Sequence, residues 1–430
     1  MKPFCNLTLV ALACLVLSTS GGAADKTGAA AGKLSPIHFG PNDWPWWRGP
    51  TRDGVAPRGD APPVKWSETE NVLWKADVPG RGHGSATVVG DQVFLTAAEP
   101  DREVQSVLCF DRRTGKRLWQ SVVHEKGFTT KGNAKSSLAS SSVACDGERL
   151  YVSFLNREAV YVSALDLFGT LLWQTKVTDF ALHQGFASSP ALYESLVLIS
   201  ADSKGTGLFA GLDRATGQIV WKHERPKLPN YTSPIILPVA GREQVLMIGC
   251  NLVSSFDPRT GKKLWEIAGA TEECVTSTVT DGHVIFTSGG YPRDHLAAVA
   301  ADGSGKIVWE NKSRVYVPSM IVRDGYLYAV LDAGVAMCWK CADGTEMWKQ
   351  RLGGTFSASL VLAGDALFAT NEEGQTFVFR ASPAGYEQLG ENRLGQSAFS
   401  TPVICGGRIY HRVAHEVDGQ RREVLYCIGR

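Results

Sequence analysis

One nine-residue phrase recurs along this 430-residue chain: DRRTGKRLW at Asp111–Trp119, DRATGQIVW at Asp213–Trp221 and DPRTGKKLW at Asp257–Trp265. Looser copies, DLFGTLLW from Asp166, ADGSGKIVW from Ala301 and CADGTEMW from Cys341, keep the glycine and the tryptophan. Aligned on the indole, the anchors are Trp74, Trp119, Trp173, Trp221, Trp265, Trp309 and Trp348, with Leu389 in the last slot. They return roughly every 40 to 50 residues, the period of a β-propeller blade.

A second column fixes the register. Short hairpins begin near Ser85, Ser140, Ser188, Thr232, Thr276, Pro318, Ser357 and Ser400, each a strand, a Gly/Asp turn and a strand. A third strand such as SVLCFD or VAMCWK follows, then the phrase, then a fourth strand bearing the tryptophan. The last unit supplies three strands only. The segment ENVLWKADV (Glu70–Val78) carries Trp74 and is expected to complete it. The fold class read from the pattern is all-β: an eight-bladed propeller of four-stranded antiparallel blades, closed by the N- and C-terminal strands. Seven blades is the fallback if the unit at Leu389 is incomplete. Closure matters because it leaves no free sheet edge.

The phrase itself reads as shape. The aspartate accepts hydrogen bonds from backbone N–H groups two or three residues on, glycine takes the left-handed conformation of a bulged turn, and tryptophan wedges between blades with its N–H on a carbonyl. An aspartate repeated in turn after turn is a structural pattern, so no catalytic residue is assigned. The same alignment places Cys338 of the CWKC motif in a third-strand slot shared with Cys109 and Cys427, where cysteine packs as a small apolar residue; a redox pair with Cys341 is the other reading.

Residues 1–24 have the form of an export signal: Lys2, an apolar stretch Leu7–Leu17, and small residues with cleavage expected after Ala24. Lipidation at Cys14 is the weaker reading. A flexible linker is expected over 25–43, a Trp-rich clasp laying its rings on the propeller rim over 44–66, and the propeller over 67–430. A periplasmic or secreted, monomeric protein is expected, with no transmembrane segment. Lys+Arg number 44 against 43 Asp+Glu, which leaves no basic footprint for nucleic acid.

The A-x-D-x-x-T-G-x-x-x-W repeat resembles that of the pyrroloquinoline-quinone (PQQ) propeller family, which includes quinoprotein alcohol dehydrogenases and the outer-membrane assembly lipoprotein of Gram-negative bacteria. With the opening WPWWRGPTRDG, it is similar to secreted PQQ-like proteins of planctomycete-type bacteria. The resemblance spans about Trp44 to Arg430 and implies the fold. In its enzymes it also implies a vicinal Cys–Cys disulfide against the cofactor, a catalytic aspartate, and a calcium or lanthanide site. This chain has no adjacent cysteine pair and no evident cluster of metal-ligating oxygens, so neither a metal nor PQQ is assigned. Tyr291–His295 (YPRDH) offers one Asp and one His, read as a solvated loop.

Loops before the innermost strands should gather at one mouth of the central channel. They would present His83, Asn230, Tyr231 and Tyr316, with Arg81, His183, Gln184 and Glu273 nearby, a set suited to a neutral polar ligand or a peptide. The reading is therefore a non-catalytic protein-binding or scaffolding propeller of the cell envelope, with a protein partner or small polar ligand. A PQQ-dependent dehydrogenase and a carbohydrate-binding propeller are the alternatives.

Overall fold

The computed structural model describes Met1 and residues 34–430 except 60, 130 and 131. The export signal, Cys14 and the linker before residue 34 lie outside the described residues. Residues 34–430 form one compact unit.

Its strands assemble into eight four-stranded antiparallel sheets. Blades 1 to 7 each run consecutively outward, over 87–125, 144–179, 191–224, 235–268, 279–311, 321–351 and 361–393. Blade 8 takes its three inner strands from 403–428 and its outer strand from Val72–Val78. That strand pairs antiparallel with Gln420–Ile428, Trp74 opposite Cys427 and Lys75 opposite Tyr426. The expected ring, with its ends sharing one blade, is the ring found.

Each part of the phrase has an observed job. Asp111 Oδ1 accepts from Arg113 N, Thr114 N and Thr114 Oγ1, and the same fork recurs at Asp213 and Asp257. A bulge follows where the third and fourth strands pair, as at Cys109/Phe110 and Ser255/Phe256. The glycine does more than turn the chain. Gly261 has φ +65°, and a Cβ on it would sit 2.3 Å from the Trp221 ring of the preceding blade. Gly115 lies in the same way under Trp74, and Gly217 under Trp173. The indole N–H then reaches the turn it covers: Trp74 donates to Arg112 O at 3.0 Å, Trp173 to Arg214 O at 3.0 Å, and Trp309 to Cys341 O at 2.7 Å. Trp119, Trp221 and Trp348 repeat this, whereas Trp265 donates to Gln244 Oε1.

The residue opposite each tryptophan is small: Cys109, Ala164, Gly211, Ser255, Ala298, Cys338 and Cys427. The indole leans over that position, so Cys338 and Cys427 hold a packing slot. All eight cysteines of the described residues are buried and none is in a disulfide. Burial pushes both the Cys338 and Cys341 thiols up to about 12.

Blade 7 departs from the expected alignment. The paired register puts Gly390, not Leu389, opposite the third strand's Val378. The missing indole comes from outside the repeat. Trp66 is 5% exposed, and it stacks on Phe368 with ring centroids 6.3 Å apart. Phe368 is the second-strand counterpart of Tyr328, Phe286 and Phe94, each of which meets its own blade's tryptophan. Asn392 fixes the segment, accepting from Trp66 N at 2.7 Å and donating to Val64 O at 3.0 Å.

His411, in the second strand of blade 8, is 1% exposed with neither ring nitrogen hydrogen-bonded, and burial pushes it down to about 4. An unfolded histidine titrates near 6.5, so the folded chain binds fewer protons between these values. The stability carried by neutral His411 is present above about pH 6.5 and is lost as pH falls toward 4, on the order of 3 kcal/mol. Thermal melts of His411→Leu should show a shallower decline across that window than the parent. An equal slope would place the acid sensitivity elsewhere, His124, also down to about 4, being the next group to test.

Candidate binding site at the channel mouth

The site is built from two ends of the channel. At the far end lies the Trp-rich segment, which crosses the channel rather than sitting on the rim. Trp44 bridges to Val88 of blade 1, and Pro45 O accepts from Cys145 N of blade 2. Arg52 donates to Leu192 O of blade 3, and Val55 bridges to Leu362 of blade 7. Arg48, 1% exposed, donates to Met320 O, Leu360 O and Asp53 O. Burial lowers its guanidinium to about 10. Carbonyls of three elements thus converge on one charged fork, a use for which arginine's planar donors suit. Arg52 also stacks over the Trp46 ring at 4.3 Å. The second half of the expected linker is seated too, with His38 N on Asp146 O and Asp43 paired with Arg112 at 3.1 Å.

Trp47 of this plug faces the opposite end, where a cavity of about 680 Å³ opens. The channel is therefore a blind cup. Of the eight mouth residues expected from sequence, His83, His183, Gln184, Tyr231, Glu273 and Tyr316 line it together. Asn230 does not. It turns into the sheet, donating to Asp202 Oδ2, Thr232 Oγ1 and Ile248 O and accepting from Cys274 N, so it holds the loop. Arg81 lies to the side, in a smaller neighbouring cleft, with its guanidinium on Ala134 O and Lys135 O. Of the YPRDH loop, Tyr291 reaches the cavity, Asp294 pairs with Arg314, and His295 begins a strand and is buried.

The wall also has members that the repeat columns did not supply. The connection between blades 1 and 2 is long, and its Lys135 reaches across to Glu372 of blade 7 at 2.7 Å. Asn133 of the same connection donates to Gln184 Oε1 at 2.9 Å. The widest spacing between tryptophan anchors, Trp119 to Trp173, was the signal for this insertion. Phe399 stacks on His83 with centroids 4.6 Å apart. Burial, with Arg81 adding repulsion, drives His83 well below the usual imidazole value, so the ring is neutral; its Nε2 is buried without a partner.

At the centre of one wall stands Glu273, 5% exposed. Tyr316 donates to its Oε2 at 3.1 Å, and His183 Nε2 is 3.4 Å from Oε1. Tyr231 lies beside the same carboxylate. Burial first, then that charge, pushes the phenols of Tyr231 and Tyr316 up. Beneath, a ring of small hydroxyls relays from blade to blade. Ser85 N donates to Ser142 Oγ, Ser142 N to Ser189 Oγ and Ser189 N to Ser233 Oγ. Beyond Ser277 the relay runs through Ser319 and Ser359 to Thr401. Trp47 Nε1 donates to Ser277 Oγ and joins plug to ring. These hydroxyls rigidify the cup.

The lining does not match PQQ, a tricarboxylate that needs cations. The buried charge in the wall is the Glu273 carboxylate, while Lys135 and Arg314 are already paired with Glu372 and Asp294. Among the described residues no group of three His, Cys, Asp or Glu side chains is arranged to hold a metal ion.

Known proteins resemble this chain both in sequence and in fold. The family profile described as outer membrane protein assembly factor BamB matches residues 58–122, 103–350 and 292–383. A protein of that name from Yersinia pestis is 26% identical over 328 residues, 70% of this chain and 75% of the relative. A polyvinylalcohol dehydrogenase from Pseudomonas sp. is 26% identical over 255 residues, 54% of this chain but 36% of the enzyme's own length. Among solved structures, BamB from Moraxella catarrhalis superposes with a TM-score of 0.58 at 14% identity, covering 83% of this chain and 96% of that one. The quinohemoprotein alcohol dehydrogenase of Comamonas testosteroni gives 0.63 at 14% identity, covering 90% and 81%. At these identities the likeness is one of fold.

Proposed function

Because this chain belongs to the family of the outer membrane protein assembly factor BamB, we propose that it is an exported, non-catalytic propeller of the cell envelope that holds a partner through the open mouth of its channel. The observation that carries this reading is the blind cup. The plug closes one end, and the other opens into a concave site where His83 Nε2 is a buried polar atom without a partner. Such atoms cost free energy unless something bonds them. The expected partner is a protein segment or small polar ligand in the periplasm, and the protein acts as a monomer. The likeness to the outer membrane protein assembly factor of Yersinia pestis supports a scaffolding use. Among the described residues no helix is long and apolar enough to cross a membrane.

Filling the cup tests the reading. Ala187 lines the cavity, and Ala187→Trp should occupy it while leaving the melting temperature near that of the parent. Affinity capture from the native envelope, followed by mass spectrometry, should lose the dominant partner by about tenfold or more, equivalent to at least 1.4 kcal/mol of binding. Recovery of the same partners at the same yield would remove the mouth as the docking face.

A further inference from the structure

Five acidic side chains are buried among the described residues: Asp43, Asp146, Asp202, Glu273 and Glu423. Four of them take an arginine, with Asp43 on Arg112, Asp146 on Arg214, Asp202 on Arg225 and Glu423 on Arg412. Glu273 takes none. Its neighbours are a neutral phenol, Tyr316, and the imidazole of His183. A buried carboxylate without a cation is costly, and this protein meets that cost with a guanidinium everywhere else. The exception is also the buried acid that lines the cup.

We infer that the cup takes a compact organic cation, a primary ammonium or guanidinium head, seated on the Glu273 carboxylate beside Tyr231 and Tyr316. A second observation points the same way. Tyr231 is 9% exposed, lines the cavity, and holds its hydroxyl beside the same carboxylate. An ammonium donates up to three hydrogen bonds and is attracted to aromatic faces, so carboxylate, phenol oxygen and rings together suit it. The protein's own cations at the rim are not paired with Glu273: Lys135 is held by Glu372, and Arg314, which lies over the Tyr316 ring at 5.2 Å, by Asp294 and Gly290 O. An anion would meet Glu273 unscreened, and a neutral ligand would leave its charge uncompensated. The head group can belong to a free amine or to the lysine or arginine of a partner protein. The inference rests on the mouth being the binding face and names what that face recognises.

Calorimetric titration of the full chain separates these cases. The probes are benzylamine as a free amine, N-acetyl-lysine amide as a protein side chain, and benzyl alcohol as the neutral match. Both cations should bind saturably, at least about tenfold tighter than benzyl alcohol. Whichever cation binds tighter assigns the source. Glu273→Gln keeps an acceptor for Tyr316 and should reduce cation affinity by about tenfold or more, with benzyl alcohol unchanged. Tyr231→Phe, which retains the ring, should weaken the cations by a few-fold and serves if Glu273→Gln melts early. Equal binding of benzylamine and benzyl alcohol, undiminished cation binding by Glu273→Gln, or no saturable cation binding at millimolar concentration would each overturn the inference. If Ala187→Trp abolishes partner capture while the cation titrations fail, the mouth stands as the docking face and only its cation specificity falls.

Discussion

Gly261→Ala should cost about 2–5 kcal/mol of stability: about 1–2 for forcing a side chain into the left-handed backbone region and about 1–3 for overpacking. The new methyl would stand 2.3 Å from the Trp221 ring, which is pinned by its N–H on Arg259 O and cannot slide away. Gly241 provides the control. It has φ +79°, and a Cβ placed there would meet nothing within 4 Å, so Gly241→Ala should lose only the backbone part, about 1–2 kcal/mol. Chemical denaturation of the two variants separates clash from strain. Equal losses would mean that the indole does not press on the turn, and that blades are joined by something other than this contact.

Arg412→Ala should be as damaging for a different reason. The guanidinium is 2% exposed, pairs with Glu423, and donates to Thr96 O of blade 1 at 2.6 Å, so it ties blade 8 to blade 1 at the closure of the ring. Its removal takes one of two arginines from a carboxylate that is itself 1% exposed, leaving Arg421 and Gly82 N as donors. A broken buried pair costs about 3–5 kcal/mol, much of it the buried charge that Arg421 alone then compensates. Replacing both members, Arg412→Met with Glu423→Gln, should recover much of that loss. A double variant as unstable as the single one would show that the bond to Thr96 O, not the charge, carries the effect.

The ring and the phrase were legible because they repeat. A turn aspartate, a left-handed glycine and a wedge indole satisfy local rules, and local rules written in blade after blade leave a visible period. That the Glu70–Val78 segment supplies the outer strand of the last blade followed from counting strands alone. Blade 7 hid its substitution, since Trp66 lies outside the period and reaches Phe368 across the whole chain. The plug was hidden for a related reason. Arg48 and Arg52 are held by backbone carbonyls of Met320, Leu360 and Leu192, and a carbonyl leaves no mark in a sequence. At the mouth, position in the loop column predicted lining for Tyr231 and Tyr316. It could not distinguish Asn230, whose short amide is captured by Ile248 O and Asp202 before it reaches the cavity.

The borrowed indole has a bearing on how such a ring comes undone. Residues 64–78 stitch two adjacent seams: Trp66 and Glu68 between blades 7 and 8, and Trp74 between blades 8 and 1. Six seams are each sewn by a thread belonging to the blade itself, while these two hang on a single short ribbon. Peeling that ribbon would free both flanks of blade 8 in one motion, so the circle carries a built-in zip, and its resistance to unravelling is that of the one stretch rather than the average of eight.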